Sequence, residues 1–333
     1  MKPQMVAVLL LAFSPALAGR TRERVSHPKH ASKAINVLWQ DPGRVEALDF
    51  ANGVGGTVKA PHAPFHFVEE DLTASNPKIK VRDGHGQEWS VKWSEEARPE
   101  VFASRLAWAC GYIAQPEYFI AAGRIVGAKH LTRARANVQA DGSFRNARFQ
   151  LRTKWPKFLK HDNWAWNYNP FVGTKELNGL KVLMMLTSNW DNKDARDIDR
   201  DSNLAIFEAS KHPRREYLYF VADWGASMGK WGHVYNRSKW DCKGYSEQTP
   251  SLVKGVHSGV VDWGYTGQHT EDAAKGIRVA DVAWLMRYLG RITDAQLRAG
   301  LRASGATPNE TECFTRAVRA RIDELRRVAR SAA

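Results

Sequence analysis

Three polar side chains stand at the ends of apolar segments in the middle of the chain. Asp191 follows the apolar stretch LKVLMML, Asn203 opens the run LAIF, and Asp223 follows the run YLYFVA. Carboxylate and amide oxygens are the ligands that Mg²⁺ prefers, especially where phosphates complete its coordination shell. A carboxylate in a polar loop can also accept the proton of an attacking hydroxyl group. We therefore predict Asp223 and Asn203 as metal ligands and Asp191 as a catalytic carboxylate.

The segment between Asp191 and Asn203 adds one candidate and leaves one alternative open. Lys193 follows Asp191 by two residues, where its ammonium would neutralise charge on a transferring phosphoryl group. For Asn203 to reach the same site, the intervening ARDIDRD must loop out of the fold. The alternative metal ligands are the acids of this segment, namely Asp194, Asp197 and Asp201.

Phosphate chemistry also needs a cation, and Lys92 in the strand-like segment EWSVKW is the candidate. An ammonium held on a rigid strand could bind the α and β phosphates of a nucleotide. Glu100, near the start of the next predicted helix, would hold this lysine by an ion pair, and Glu95 and Glu96 compete for that role. The alternative is an ordinary edge-strand lysine.

Residues from about 64 to 153 predict a sheet with one inserted helix. Apolar and polar residues alternate, and Asp83-Gly84 with His85-Gly86 forms a turn. The helix runs from about Pro99 through EVFASRLAWACG, with Gly111 as its C-terminal cap. The alternating segments are PFHFVEED, KIKVRDGHGQEWSVKW, EYFIAAGRIV and RNARFQLR.

Two connections in this region resemble phosphate loops, although each has a plainer interpretation. EEDLTASNPKIKV could offer backbone amides and side-chain donors to phosphate, or it could be a β-turn. Its candidate donors are Thr73, Ser75, Asn76 and Lys78. GVGGT lacks the full GxxxxGK[ST] pattern and is favoured as irregular chain packed on the domain.

After about residue 154 the pattern becomes mainly helical. TKELNGLKVLMML predicts a buried helix that delivers Asp191 to its end. Thr293 with Gln296, and Thr307 with Glu310, are capping-box starts of two further helices. The aromatic segment KWPKFLKHDNWAWNYNPF favours a packed core, with a carbohydrate-binding surface as the alternative.

Charge and composition limit the partners. The chain of 333 residues is 43% hydrophobic, contains 13 Trp and carries a formal charge of +14, so a folded domain with anionic partners is expected. No zinc-finger, RNP-like or helix-turn-helix pattern occurs, and nucleic acid is therefore not a favoured partner.

The first 18 residues resemble a secretory signal peptide. A single lysine precedes an apolar run and the small-residue ending Ala16-Leu17-Ala18, which predicts cleavage after Ala18 and a secreted or periplasmic protein. Residues 19–63 are expected to form a linker and an irregular segment. The mature chain is expected to lack a transmembrane helix.

Three cysteines lie far apart in the sequence and fit no metal-binding pattern. In an exported protein Cys242 and Cys313 could form a disulfide, which would leave Cys110 as a buried thiol. The alternative is three unpaired core cysteines.

These motifs together resemble the protein-kinase-like superfamily. The resemblance is to its atypical branches, the HipA-type and phosphatidylinositol-kinase-like kinases, and to a bacterial-type member of them. SVKW resembles the strand of the ATP-binding lysine, and PEVFASRLAWACGY resembles the helix that supplies its glutamate. NWDNK is similar to the catalytic loop, SNLAIF to the segment of the metal-binding asparagine, and DWG to the DFG element. No HRD triplet or glycine-rich loop is present.

The resemblance implies an α+β, two-lobed protein-kinase-like fold. A β-rich N-lobe with one helix would span residues 64–153, and a mainly helical C-lobe would span residues 154–333. It further implies a phosphotransferase that uses ATP and Mg²⁺, with a protein, lipid or small-molecule acceptor. The alternatives are a kinase-fold AMP transferase and a noncatalytic exported binding protein that retains the fold.

Overall fold

The computed structural model describes residues 34–73, 76–191, 203–210 and 215–331, with the backbone alone at 160 and 161. The strands are β1 Ile35–Val37, β2 Phe65–Glu70, β3 Lys78–Arg82, β4 Glu88–Lys92, β5 Glu117–Val126, β6 Ser143–Arg152, β7 Lys157–Asn163, β8 Leu204–Ser210, β9 Glu216–Val221, β10 Val253–His257 and β11 Val260–Trp263. The α-helices are α1 Ala97–Ala109, α2 Lys175–Leu186, α3 Cys242–Gln248, α4 Thr270–Ala274, α5 Val279–Leu289, α6 Asp294–Ala303 and α7 Pro308–Arg330. The α+β class, with a β-rich N-terminal part before a largely helical C-terminal part, is confirmed.

The alternating segments form a closed barrel with the strand order β2-β3-β4-β6-β5. Since successive side chains of a strand point to opposite faces, the apolar set fills the interior. Trp89, Val91 and Phe149 are fully buried there. The β3–β4 turn forms as predicted, with Gly86 at φ +77° and the Asp83 carboxylate accepting the His85 and Gln87 N–H groups.

Helix α1 lies between the barrel and the C-terminal part. It begins at Ala97, two residues before the predicted start, so Pro99 still lies in the first turn, where its missing N–H costs nothing. Phe102 and Leu106 pack into the large C-terminal core. After the helix, Gly111 has a φ of +91°, and a Cβ there would stand 2.3 Å from the Gln40 carbonyl oxygen.

Residues 35–56, which we name the N-terminal strap, include one short strand and pack against the core of the domain. Strand β1 pairs parallel to β9, a contact between distant segments that no local periodicity signals. Val45 and Phe50 are buried in the core beside α1. The Gln296 side-chain amide of α6 donates to the Val45 carbonyl at 2.8 Å. The strap therefore joins α1 to the C-terminal helices, while residues 1–18, the predicted signal peptide, lie outside the described residues.

The C-terminal part combines a four-stranded sheet, of order β1-β9-β8-β7, with helices packed over it. The predicted buried helix is confirmed as α2, and the two predicted capping boxes are present at the starts of α6 and α7. Trp164 and Trp166 of the aromatic segment are buried in the core, as its favoured interpretation expected.

The cysteines are placed as in the first of the two sequence alternatives. Cys242 at the start of α3 and Cys313 in α7 form a disulfide, and Cys110 is a buried free thiol. Among the helices of the described ranges, none is both long and apolar enough to cross a membrane.

Candidate active site

Lys92, the last residue of β4, points out of the barrel into a ring of carboxylates. Its ammonium lies 2.5 Å from Glu96, 3.2 Å from Glu100 and 3.9 Å from Asp223. The lysine side chain is only 4% exposed. Burial alone would lower the pKa of Lys92, but the surrounding carboxylates, led by Asp223, outweigh it and raise that pKa. The cation is therefore permanently charged at neutral pH.

The two glutamates that contact Lys92 stand in different surroundings. Glu100 is buried between Lys92 and Arg148, and burial raises its pKa to about 7 against the opposing effect of Arg148 and Lys92. Burial would raise the pKa of Glu96. The Lys92 ammonium, helped by that of Lys239, outweighs burial and lowers this pKa. Glu96 is thus the anionic partner of Lys92 at neutral pH. Glu100, the sequence candidate, is the more distant partner, and Glu95 forms no ion pair among the described residues.

Arg148 of β6 extends this charge network into the protein, and sequence reasoning did not identify it. Its guanidinium lies 3.4 Å from Glu100 and 2.9 Å from Glu117, and Gln150 donates to the same Glu117 oxygen at 2.6 Å. The register places Arg148 directly opposite Lys92 across β4 and β6. The signal was present in the alternation of RNARFQLR, but its meaning depends on that register.

Asp223 reaches the cluster from the C-terminal side, two residues after β9 ends. Its Oδ1 accepts the N–H of Gly225 at 2.7 Å. Burial would favour the neutral acid, but Lys92 and this hydrogen bond outweigh it and lower the pKa of Asp223. A Cβ at Gly225 would stand 2.6 Å from that of Glu96, so only glycine allows this close approach. The result is an ionised carboxylate of the C-terminal part facing the Lys92 ammonium of the barrel.

Asp191 and Asn203 are hydrogen-bonded to each other beside Asp223. The Asn203 side-chain amide donates to the Asp191 backbone oxygen at 2.8 Å and to its Oδ2 at 3.0 Å. The Asn203 backbone oxygen accepts the Ala222 N–H at 2.7 Å. Because the amide nitrogen faces Asp191, the Asn203 side-chain oxygen points to the other side. The structure thus brings Asp191, Asn203 and Asp223 together even though ARDIDRD separates the first two in sequence.

The remaining candidates either lie outside the described residues or make other contacts. Lys193, the alternative ligands Asp194, Asp197 and Asp201, and Ser75 lie outside the described residues. Thr73 bonds back to Asp71, and the GVGGT segment packs on Arg105 and Tyr118.

Two residues hold flanking segments against Glu96. Asn76, at the end of the β2–β3 connection, donates its side-chain amide to Glu96 at 2.6 Å. Lys239, which the sequence interpretation missed, lies 2.5 Å from the other Glu96 oxygen. The Lys239 ammonium also stands 5.5 Å from the centre of the Trp190 ring, next to Asp191. Glu96 therefore joins three parts of the site: the barrel lysine, the β2–β3 connection and the segment that follows Asp223.

Comparison with known proteins gives distant structural similarity alone. No protein-family profile and no curated protein matches the chain in sequence. The chain is similar to the crystal structure of a Helicobacter pylori proinflammatory kinase, CtkA, at 10% identity and a TM-score of 0.47, covering 82% of this chain and 100% of that one.

Two crystal structures of the Golgi casein kinase are also similar to the chain. The first has 8% identity and a TM-score of 0.37, with coverage of 82% of this chain and 74% of the other. The second, with Mn and ADP bound, has 9% identity and a TM-score of 0.39, with coverage of 81% and 73%. Similarity at these scores does not indicate a function for this chain.

Proposed function

We propose that the chain is a protein-kinase-like phosphotransferase that uses ATP and Mg²⁺. One observation carries the proposal: the buried Lys92 ammonium of the barrel lies 3.9 Å from the Asp223 carboxylate of the C-terminal part. Phosphoryl transfer needs a cation for the nonreacting phosphates and a carboxylate for the divalent metal, placed on either side of one cleft. The two parts of the fold supply one of these groups each.

The donor atoms around Asp223 fit a hard divalent cation. An ionised carboxylate and an amide oxygen turned away from its hydrogen-bonded partner suit Mg²⁺, which binds few protein oxygens and keeps waters and phosphates as its remaining ligands. Asp223 and Asn203 would hold the ion. When bound, it would neutralise the charge of the nucleotide phosphates.

The protein groups divide the remaining work between binding and proton transfer. Lys92 would hold the α and β phosphates, fixed in position by Glu96 and Glu100. Asp191 would orient the acceptor hydroxyl and receive its proton as the acceptor oxygen bonds to the γ-phosphorus. The bond from the γ-phosphorus to its bridging oxygen would break at the same time, leaving ADP. Asn203, by donating to Asp191 Oδ2, would keep that carboxylate in one orientation.

Incorporation of label from γ-labelled ATP tests the reaction. The mature protein should label itself or an added acceptor in the presence of Mg²⁺, and Asp223→Ala should abolish this. Asp141→Asn, in an exposed turn of the barrel, is the matched control and should keep wild-type activity. Label from α-labelled ATP alone would show AMP transfer instead. Absence of Mg²⁺-dependent nucleotide binding would favour a noncatalytic binding protein.

The proposal includes export of the chain. It is supported by the signal-like first 18 residues and by the Cys242–Cys313 disulfide, since disulfides persist in oxidising compartments. Mass spectrometry of the protein recovered from its native host should find an N-terminus at Gly19. Recovery of the chain with residues 1–18 still attached would contradict cleavage.

A further inference from the structure

Three cations stand in one row across the outer face of the barrel. In the strand register Lys78 of β3 is directly opposite Lys92 of β4, and Lys92 is directly opposite Arg148 of β6. Directly opposed residues of antiparallel strands project from the same face, with Cβ atoms about 4.5–5.5 Å apart. The three side chains therefore share the face that α1 and Asp223 cover.

The row is not compensated evenly. Arg148 has Glu100 and Glu117 as partners, and Lys92 has three carboxylates within 4 Å. Lys78 is half-buried, yet among the residues that the structure describes none forms an ion pair or a side-chain hydrogen bond with its ammonium. Like charges placed directly opposite each other are destabilising unless an anion lies between or beside them. Lys78, at the outer end of the row, therefore lacks the close carboxylate partner that each of the other two cations has.

The electrostatic environment of Lys78 agrees with this geometry. Burial, together with the positive charges of Arg148 and Lys92, lowers the pKa of the Lys78 ammonium, and the more weakly acting Glu100 and Asp71 do not offset this. Lys80, two residues along the same strand and on the same face, differs because its ammonium pairs with Glu69. Among the described residues, strand β3 thus has one lysine with an ion pair, Lys80, and one without, Lys78, which adjoins Lys92.

We propose that Lys78 is a second phosphate-binding residue, which together with Lys92 binds the polyphosphate chain of the nucleotide. The inference rests on the proposed function for the identity of the nucleotide, but the anion site follows from the cation row itself. Two ammonium groups on adjacent strands suit a ligand with at least two linked phosphates. Adenosine, which has none, would gain nothing from Lys78.

Binding of inorganic pyrophosphate, ADP and adenosine to wild-type protein, Lys78→Met and the control Lys80→Met tests this role. A charge-assisted contact to phosphate predicts that Lys78→Met weakens pyrophosphate and ADP binding by about 10- to 100-fold. Lys80→Met should leave both affinities within about twofold of wild type, because Lys80 already has its own carboxylate. Removing the uncompensated charge should also raise the Tm of the ligand-free protein in Lys78→Met and not in Lys80→Met.

The outcomes separate this inference from the proposed function. Equal pyrophosphate and ADP affinity in wild type and Lys78→Met would overturn the role of Lys78 and leave the phosphotransferase proposal standing. Lys78-dependent pyrophosphate binding without any transfer from ATP would support the anion site and overturn the proposed reaction. No binding of pyrophosphate or ADP to the wild type would overturn both.

Discussion

The two sides of the cleft are built in contrasting ways. On the barrel side, Lys92 and Arg148 are buried, each with carboxylates on more than one side. On the C-terminal side, Asp191 is half-buried and is held in a loop by hydrogen bonds with Asn189 and Asn203. A buried ion network is costly to rearrange once formed, whereas a loop carboxylate can be approached by an acceptor. Under the proposed function, this difference corresponds to a preorganised nucleotide side and an open acceptor side.

Asp191→Asn should have the largest effect on turnover and little effect on binding. Loss of the proton acceptor is expected to lower kcat by about 10²–10⁴-fold, because a carboxamide cannot take the hydroxyl proton. The affinity for ATP with Mg²⁺ should stay near the wild-type value, since Lys92 and Asp223 are untouched. Single-turnover kinetics together with calorimetry measures both quantities. A parallel loss of ATP affinity would mean that Asp191 takes part in nucleotide binding. The proposed division between a nucleotide side and an acceptor side would then be wrong.

Lys92→Met should damage the nucleotide side in both binding and stability. It removes the cation proposed to bind the phosphates, for which about a 10²–10³-fold loss of activity is expected. It also leaves three carboxylates without their shared cation, which should lower the free energy of unfolding by about 3–5 kcal/mol. Chemical denaturation and nucleotide titration measure the two effects. Lys80→Met is the control. An equal loss of unfolding free energy in Lys80→Met would show that the buried ion pairs of Lys92 stabilise the fold no more than the exposed pair of Lys80.

Glu96→Gln and Glu100→Gln should respond to pH in opposite directions. The pKa of Glu96 is lowered in the folded protein, so its stabilisation is present above about pH 4.5 and is lost as the pH falls through the lowered value. The pKa of Glu100 is raised to about 7, so the wild type loses stability from this group as the pH rises from about 4.5 to about 7.

Unfolding free energies measured from pH 3 to pH 8 distinguish the two glutamates. Glu96→Gln should cost about 1.5–3 kcal/mol at pH 7 and progressively less below pH 4.5. The free energy of unfolding of Glu100→Gln should rise relative to that of the wild type as the pH rises to about 7. Identical pH dependence in the two variants would refute the different charge states assigned to them.

Lys239→Met should have the smallest effect. Lys239 is about one-fifth exposed, and one such ion pair contributes about 0.5–1 kcal/mol. Its loss should slow transfer only modestly by loosening the segment after Asp223 from Glu96. Thermal unfolding and turnover of Lys239→Met are to be compared with those of the exposed control Lys243→Met. A loss as large as that of Lys92→Met would make Lys239 part of the core network.

The same contrast explains which features the sequence could predict. Period-two alternation predicts the barrel strands, and capping residues predict the starts of α6 and α7, because both signals are local. The sequence predicts Lys92, Asp191 and Asp223 as site residues because Lys92 lies in a strand-like segment and the two aspartates follow apolar segments. These features need no knowledge of strand pairing.

The parts that sequence analysis missed depend on contacts between distant segments. The opposition of Arg148 and Lys92 follows from the register of β4 and β6. The parallel pairing of β1 with β9 joins two segments that lie far apart in the sequence. Glu96, four residues after Lys92, competes with Glu100 in the sequence because spacing alone does not decide between them. The contact of Lys239 with Glu96 requires the C-terminal segment to fold back onto α1.

ATP binding with and without Mg²⁺, in wild type and in Asp223→Ala, tests the central claim most directly. If Lys92 and an Asp223-bound metal hold the phosphates together, Mg²⁺ should tighten ATP binding by the wild type about tenfold or more, and Asp223→Ala should remove that gain while Lys92 still provides weak metal-independent binding. An ATP affinity that is independent of Mg²⁺ in the wild type, or a Mg²⁺ effect that survives in Asp223→Ala, would contradict the account.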